Sequence, residues 1–166
     1  MKILNLFAGI GGNRKYWKGD ITAIEFNEKY ADVYKILYPQ DIVVITDAWE
    51  YCMQYYDEYD FIWASPPCQT HSKLNYPLHS QRIRRMPDMK LWGLISYLKT
   101  FAKQQKWIVE NVKPYYESLI PQSFILGRHY YWSNFPVLKN SYQLTSFNSI
   151  CGNFVSNLIK IQVHKW

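Results

Sequence analysis

The stretch Lys2-Ile3-Leu4-Asn5-Leu6-Phe7-Ala8-Gly9-Ile10-Gly11-Gly12 decides how the chain is read. Lys2 to Phe7 is a short apolar run, and three glycines within four positions follow it at once. A short apolar run stopped by glycine is the pattern of a buried strand feeding a tight turn. Glycine carries no Cβ, so such a turn bends sharply and brings its backbone close to a ligand. No Gly-Lys-Ser/Thr follows, as a phosphate cradle requires. The turn therefore suits a phosphate-free adenosine cofactor.

Outward from this turn the punctuation alternates. A short helix is expected over Asn13–Lys18, a second strand over Ile21–Glu25, and a helix from an N-cap at Asn27 to Leu37, stopped by Pro39. Ile42–Ile45 is β-branched throughout and reads as a third strand, and Phe61–Ala64 reads as a fourth, ending at Ser65-Pro66-Pro67. Residues 66 to about 88 lack periodicity and read as a long loop. Met89, Leu91, Trp92, Ile95, Leu98, Phe101 and Ala102 fall at helical spacing within Asp88–Lys103. Trp107–Val109 is the fifth strand, Ser123–Leu126 and His129–Trp132 a hairpin or final strand pair, and Val155–Val163 a closing helix. Strands alternating with helices predict an α/β fold with a mostly parallel sheet and right-handed crossovers. Ligands of such sheets bind at the carboxyl ends of the strands. Gly9–Gly12, Glu25, Asp47, Pro66–Gln69 and Glu110-Asn111 all fall at such ends.

Composition sets bounds on the partner. The chain has 166 residues, 48% hydrophobic and 19% charged, which excludes a disordered or fibrous protein and allows one full core. It lacks the run of about 18 apolar residues a membrane span needs. The opening residues lack a signal peptide's apolar run and cleavage site, and Cys52, Cys68 and Cys151 form no disulfide framework or zinc spacing. The cytoplasm is the expected compartment. A net charge of +6 with 18% aromatics suits a polymer of phosphates and bases.

Three further segments carry chemistry. Glu25 stands sixteen residues after Gly9, where an acid can accept both hydroxyls of a ribose. Asp47 either caps a helix or contacts an adenine amino group. In Ser65-Pro66-Pro67-Cys68-Gln69 two prolines stiffen the chain just before a cysteine, which is how a nucleophile is held with little freedom. Arg82, Arg84, Arg85 and Arg128 are candidates for positive charge that favours its thiolate. The alternative is a buried, inert thiol, the reading given to Cys52 and Cys151. Glu110-Asn111-Val112 ends the fifth strand, where a protonated carboxyl can donate to a base; the alternative is a helix-capping or surface acid. Lys73 and the run Gln81–Arg85 either touch phosphates or form a solvated charge run. His71, His79, His129 and His164 show no metal spacing, so no metal is expected.

Together these segments resemble the cytosine-5 DNA methyltransferase family. Phe7–Gly12 is similar to its first motif, Pro66-Pro67-Cys68-Gln69 with Ser72 to its nucleophile motif, Glu110-Asn111-Val112 to its glutamate motif, and Gly152-Asn153-Phe154-Val155 to its last, in the family's order along the chain. The resemblance implies a Rossmann-like S-adenosylmethionine-dependent fold with a doubly wound sheet. It implies cofactor contacts from Phe7, Ala8, Gly9, Gly11, Gly12, Glu25, Phe26, Asp47, Pro66, Asn153 and Val155. Substrate contacts would come from Pro67, Gln69, Ser72, Arg82, Arg84, Arg85 and Asn111, and catalysis from Cys68, Glu110 and Arg128. Cys68 would add to carbon 6 of a cytosine flipped out of DNA, with Glu110 donating to ring nitrogen 3.

Two departures stand out. The family's eighth motif, Gln-x-Arg-x-Arg, corresponds to Leu126-Gly127-Arg128-His129-Tyr130, so Tyr130 stands where a second, base-holding arginine is expected. The recognition region between the eighth and last motifs shrinks to Pro136–Asn148 within a single catalytic domain, residues 1–166. A short or relaxed target is therefore expected, unless a second subunit or self-association supplies recognition. Two alternatives stay open: an RNA (tRNA) cytosine-5 methyltransferase, and a non-catalytic accessory homologue. As a restriction-modification type enzyme it would work in a bacterial or phage-infected cytoplasm.

Overall fold

A computed structural model describes residues 1–73 and 86–137. Their core is a seven-stranded sheet of order β3-β2-β1-β4-β5-β7-β6. The strands are β1 (Lys2–Leu6), β2 (Asp20–Glu25), β3 (Ile42–Ile45), β4 (Phe61–Ala64), β5 (Lys106–Val112), β6 (Phe124–Leu126) and β7 (His129–Ser133). The first five run parallel, and β7 pairs antiparallel with both β5 and β6. This is the mostly parallel α/β sheet that the alternating pattern predicts.

Burial explains why these strands read as apolar runs rather than alternating ones. Leu4, Leu6, Ile24, Ile62, Ala64 and Val109 point to one face, where they meet helices α2 (Ala48–Tyr55) and α3 (Lys90–Phe101). Ile3, Ile21, Phe61, Trp63 and Ile108 point to the other, against Trp17 and Tyr131. Farther along that face, Ala23 and Val43 meet Tyr34 of helix α1 (Glu28–Leu37). A sheet covered on both faces needs hydrophobic residues at successive positions.

The caps follow the expected chemistry. The Asn27 side chain accepts from Lys29 N at 3.0 Å and starts α1. Asp88 accepts from Lys90 N at 2.9 Å just ahead of α3, whose N-cap position is Met89. The hairpin turns at Gly127, whose φ of +57° suits glycine.

Three expectations change. Asn13–Lys18 is no helix but a chain of turns, with Gly11 N bonded to Ala8 O, Arg14 N to Gly11 O and Trp17 N to Arg14 O. Side chains capture this segment. Asn13 pairs amide to amide with the fully buried Asn5, and Arg14 donates to Trp17 O at 2.6 Å and to both oxygens of Asp41. Such side-chain bonds compete with the helical ladder. Conversely, a helix cap is one of two sequence readings of Asp47, with no helix span expected after it; Asp47 does cap a helix, α2, accepting from Trp49 N and Glu50 N at 2.8 and 3.1 Å. Its buried residues Ala48 and Cys52 lie one turn apart and supply the packing that propensity does not. Finally, β5 extends through Val112, because β7 pairs with it out to Val112 opposite His129. Glu110 and Asn111 thus lie inside the strand rather than beyond it. The closing helix over Val155–Val163 and Cys151 lie outside the described residues.

Candidate active site

Register brings the candidate segments to one edge. Leu6 is level with Ile24 and with Ala64, and Ala64 is level with Val109. The residues that follow, Phe7, Glu25, Ser65 and Glu110, therefore stand in one row at the carboxyl end of the sheet, on strands spaced about 4.8 Å apart. Backbone bonds from Ala8 N to Ile24 O (3.0 Å) and from Ser65 N to Leu6 O (3.3 Å) continue the pairing past the strand ends.

At the β1–β2 side the turn is held open by backbone. Among the described residues Phe7 alone, apart from glycines, has positive φ, at 56°. Such a conformation costs about 1–2 kcal/mol and clusters at functional sites. Gly9 (φ +55°) and Gly11 (φ +84°) serve different ends. A Cβ on Gly9 would meet nothing within 4 Å, whereas one on Gly11 would lie 2.5 Å from Tyr38 Cε2 and 2.9 Å from Tyr34 Cε2. Gly11 lets the turn pack on α1; Gly9 leaves space at the sheet edge. Glu25 fixes the turn by accepting from Gly9 N with one oxygen and Asn27 N with the other, both at 2.8 Å. Each oxygen keeps a second lone pair, so the carboxylate fits hydroxyl donors such as a ribose diol. The Phe26 ring beside it is 76% exposed. Asp47 Oδ1 is engaged in capping α2, and Oδ2 lies 3.8 Å from Lys90 Nζ.

At the β4–β5 side, long-range side-chain bonds hold the loop after β4. Buried Asn111 donates from Nδ2 to Pro66 O at 2.9 Å while its own Oδ1 accepts from Val112 N. Cys68 follows Pro66 by two residues, at most about 7 Å of chain. Its carbonyl accepts from His71 N and Ser72 N at 3.0 and 2.9 Å, closing a turn behind the thiol. Fully buried His71 anchors that turn, through Nδ1 to the Tyr116 hydroxyl (2.5 Å) and through its carbonyl to Tyr115 N (3.1 Å). Burial lowers the His71 pKa, partly offset by Asp88. Pro66 is buried, Cys68 half-buried, and Pro67 and Gln69 exposed.

The two described cysteines differ sharply. Cys52 is fully buried in the core, and burial pushes its thiol up to about 12. It is the inert thiol the sequence suggested, whereas Cys68 reaches the surface at the sheet edge.

Glu110 is the titratable centre of this side. Burial raises its pKa, opposed by His129 and by a hydrogen bond with Ser65. Ser65 Oγ also accepts from Trp63 Nε1 at 2.7 Å. A carboxyl held toward its neutral form is what donation to a base requires. Arg128 lies in the exposed hairpin turn, its carbonyl accepting from Lys113 N at 2.8 Å. Arg82, Arg84, Arg85, Asn153 and Val155 lie outside the described residues. Spacing along the sequence offers His71 and His129 only as metal candidates and assigns no role to Ser65 or Tyr116. Only the cluster's three-dimensional pairing reveals them. Among the described residues no group of three His, Cys, Asp or Glu could hold a metal, and no helix is long and apolar enough to cross a membrane.

This arrangement of a glycine turn, a strand-two acid, a proline-stiffened cysteine and a buried glutamate has a counterpart among known sequences. Residues 1–116 match the C-5 cytosine-specific DNA methylase family. The chain belongs to that family. The cofactor of the family is S-adenosylmethionine, and the open Gly9 turn with the Glu25 acceptors fits such a nucleoside. No curated protein sequence matches the chain. Among solved structures, a mutant of Spodoptera frugiperda DNMT2 is 28% identical with a TM-score of 0.49, covering 68% of this chain and 35% of that one. This chain thus spans about a third of the insect protein's length. A hypothetical protein of Thermus thermophilus is 14% identical with a TM-score of 0.54, covering 80% of this chain and 73% of its own, and shares the fold. A prophage-encoded DNA modification methyltransferase of Escherichia coli is 17% identical with a TM-score of 0.46, covering 71% and 34%.

Proposed function

We propose that this family member methylates carbon 5 of cytosine in DNA through a covalent Cys68 adduct, with a short or relaxed target sequence. The observation that carries this reading is the half-buried Glu110 carboxyl, its pKa raised by desolvation, one strand from the loop that carries Cys68. Carbon 5 of cytosine is a weak nucleophile. Attack of the Cys68 thiolate on carbon 6 forms the S–C6 bond and pushes the ring electrons toward nitrogen 3, which takes the Glu110 proton. Carbon 5 is then enamine-like and competent to accept a methyl group. S-adenosylmethionine, when bound, supplies that methyl as a sulfonium electrophile. Loss of the carbon-5 proton to a base expels Cys68, and the nitrogen-3 proton returns to Glu110. Because the thiol cannot meet a base inside a duplex, the nucleotide must be flipped out or unpaired.

In this reading Phe7, Ala8, Gly9, Gly12, Glu25, Phe26, Asp47 and Pro66 border the cofactor. The Glu25 oxygens take its ribose hydroxyls, and Phe7 and Phe26 offer rings to its apolar and cationic parts. Gly11 contributes by packing the turn. Pro67, Gln69, Ser72 and Asn111 border the base. The short segment Pro136–Asn148 leaves few residues for reading base edges, which supports a relaxed target within one catalytic domain.

The test is transfer of labelled methyl from S-adenosylmethionine to duplex DNA, single-stranded DNA and tRNA in parallel. DNA labelled at carbon 5 of cytosine, and lost in Cys68→Ser, is expected. Label on tRNA alone would move the reading to the RNA enzyme; no label on either, with cofactor bound, would favour the accessory homologue. A long, strict motif without any partner would overturn the relaxed target.

A further inference from the structure

In the antiparallel pair of β5 and β7, Glu110 stands opposite Tyr131 and Val112 opposite His129. Opposed residues put their side chains on the same face, and successive residues alternate. Glu110, Val112, His129 and Tyr131 therefore share one face, and Asn111, Tyr130 and Trp132 share the other. The contacts agree. Tyr130 and Trp132 pack into the cluster under α3, while His129 Nε2 lies 3.4 Å from Glu110 Oε1. Both side chains of that pair are largely buried, 27% and 20% exposed. Tyr130, which the sequence pattern aligns with an arginine, faces away from Glu110, and its neighbour His129 faces toward it.

We propose that His129 is a positioning residue for Glu110: its Nε2 engages Oε1 and leaves Oε2 as the oxygen presented to the base. The inference rests on the reading of Glu110 as the group that meets the base. When Glu110 gives its proton to ring nitrogen 3 it becomes a carboxylate. The His129 imidazole, with Nε2 at 3.4 Å, is placed to stabilise that charge until the proton returns. Among the described residues Ser65 also hydrogen-bonds to the carboxyl, and Tyr131 stands opposite it in register. The His129 imidazole, which opposes the rise that burial gives the Glu110 pKa, should therefore govern how readily Glu110 holds its proton.

The test titrates the Glu110 carboxyl carbon by 13C NMR, without substrate or cofactor, in wild type, His129→Gln and His129→Lys. Removing the imidazole should move the Glu110 midpoint up in His129→Gln, because His129 lowers the Glu110 pKa. A permanent cation should move it down in His129→Lys, each by about half a pH unit or more, a roughly threefold change in proton affinity. The alkaline limb of kcat/KM for methyl transfer should move the same two ways, since Glu110 must be protonated to donate. A purely structural histidine would not shift the two variants in opposite directions. Coincident midpoints in all three proteins would overturn the pairing, and shifted midpoints with an unmoved pH–rate limb would overturn its role in positioning. If Glu110→Gln transfers methyl at the wild-type rate, the underlying reading of Glu110 fails, while the NMR shifts still decide the pairing.

Discussion

At the carboxyl ends of β1 and β2 the sheet edge is made of backbone; at the ends of β4 and β5 it is made of side chains. Phe7 and Gly9 at positive φ, with Gly9 N held on Glu25, shape the first side from residues within a few turns of one another. On the second side Asn111 reaches Pro66 and His71 reaches Tyr116, each across 45 positions of sequence. The first side needs only an acceptor and open space, which suits holding a small cofactor. The second must hold a thiol and a carboxyl in fixed relation, which takes buried hydrogen bonds from distant elements. The two sides should therefore fail differently when altered.

The largest difference should come from Glu110→Gln. It removes the proposed proton donor on the side-chain wall and is expected to lower kcat by about 10²–10⁴-fold. Cofactor affinity, measured by calorimetry, should stay near wild type, because the backbone wall is untouched. A parallel loss of cofactor binding would show that the walls are not separable.

Asn111→Ala comes next. It frees the Pro66 carbonyl inside the protein and should cost about 1–3 kcal/mol in urea unfolding, together with activity. Loss of stability with full activity would mean that this bond does not place the thiol loop.

The glycines sharpen the backbone side. Both Gly9→Ala and Gly11→Ala incur the strain of a side chain at positive φ, about 1–2 kcal/mol. Only Gly11→Ala also collides with Tyr38 and Tyr34. Thermal unfolding should therefore fall further for Gly11→Ala, and cofactor affinity should fall further, relative to stability, for Gly9→Ala. Equal effects on both measures would erase the distinction.

This contrast also explains what was legible beforehand. The run into Gly9, the Asn27 cap, the β-branched third strand and the hairpin around Gly127 were readable because each depends on neighbours in sequence. The turns at Asn13–Lys18 were not, because Arg14 is captured by Asp41, twenty-seven residues away. Helix α2 was hidden by aromatic residues with weak helix propensity, and becomes a helix through its Asp47 cap and the burial of Cys52. Cys68 and Glu110 could be picked out by residue type and position. Their supports, His71 with Tyr116 and His129 beside Glu110, follow from strand register and chain crossing that spacing alone does not give.

The smallest expected effect concerns His71. Its folded pKa is lowered by burial, so below about pH 6.5 the unfolded chain binds more protons than the folded one. Stability should fall as pH drops through that window toward the folded pKa. Wild type should lose stability on acidification more steeply than His71→Phe, by up to about 1.4 kcal/mol per pH unit. Matching slopes in urea titrations at pH 5 to 7 would show that His71 is not held neutral by its burial.

The most direct test is covalent capture. DNA carrying 5-fluorocytosine has no proton to lose at carbon 5, so an adduct that has accepted methyl cannot release the thiol. Incubation with S-adenosylmethionine, followed by denaturing mass spectrometry, should show protein and DNA joined through Cys68. Cys52→Ala should give the same adduct, and Cys68→Ser none. An adduct that survives in Cys68→Ser, or wild-type methylation of ordinary cytosine with no trapped species, would contradict the account.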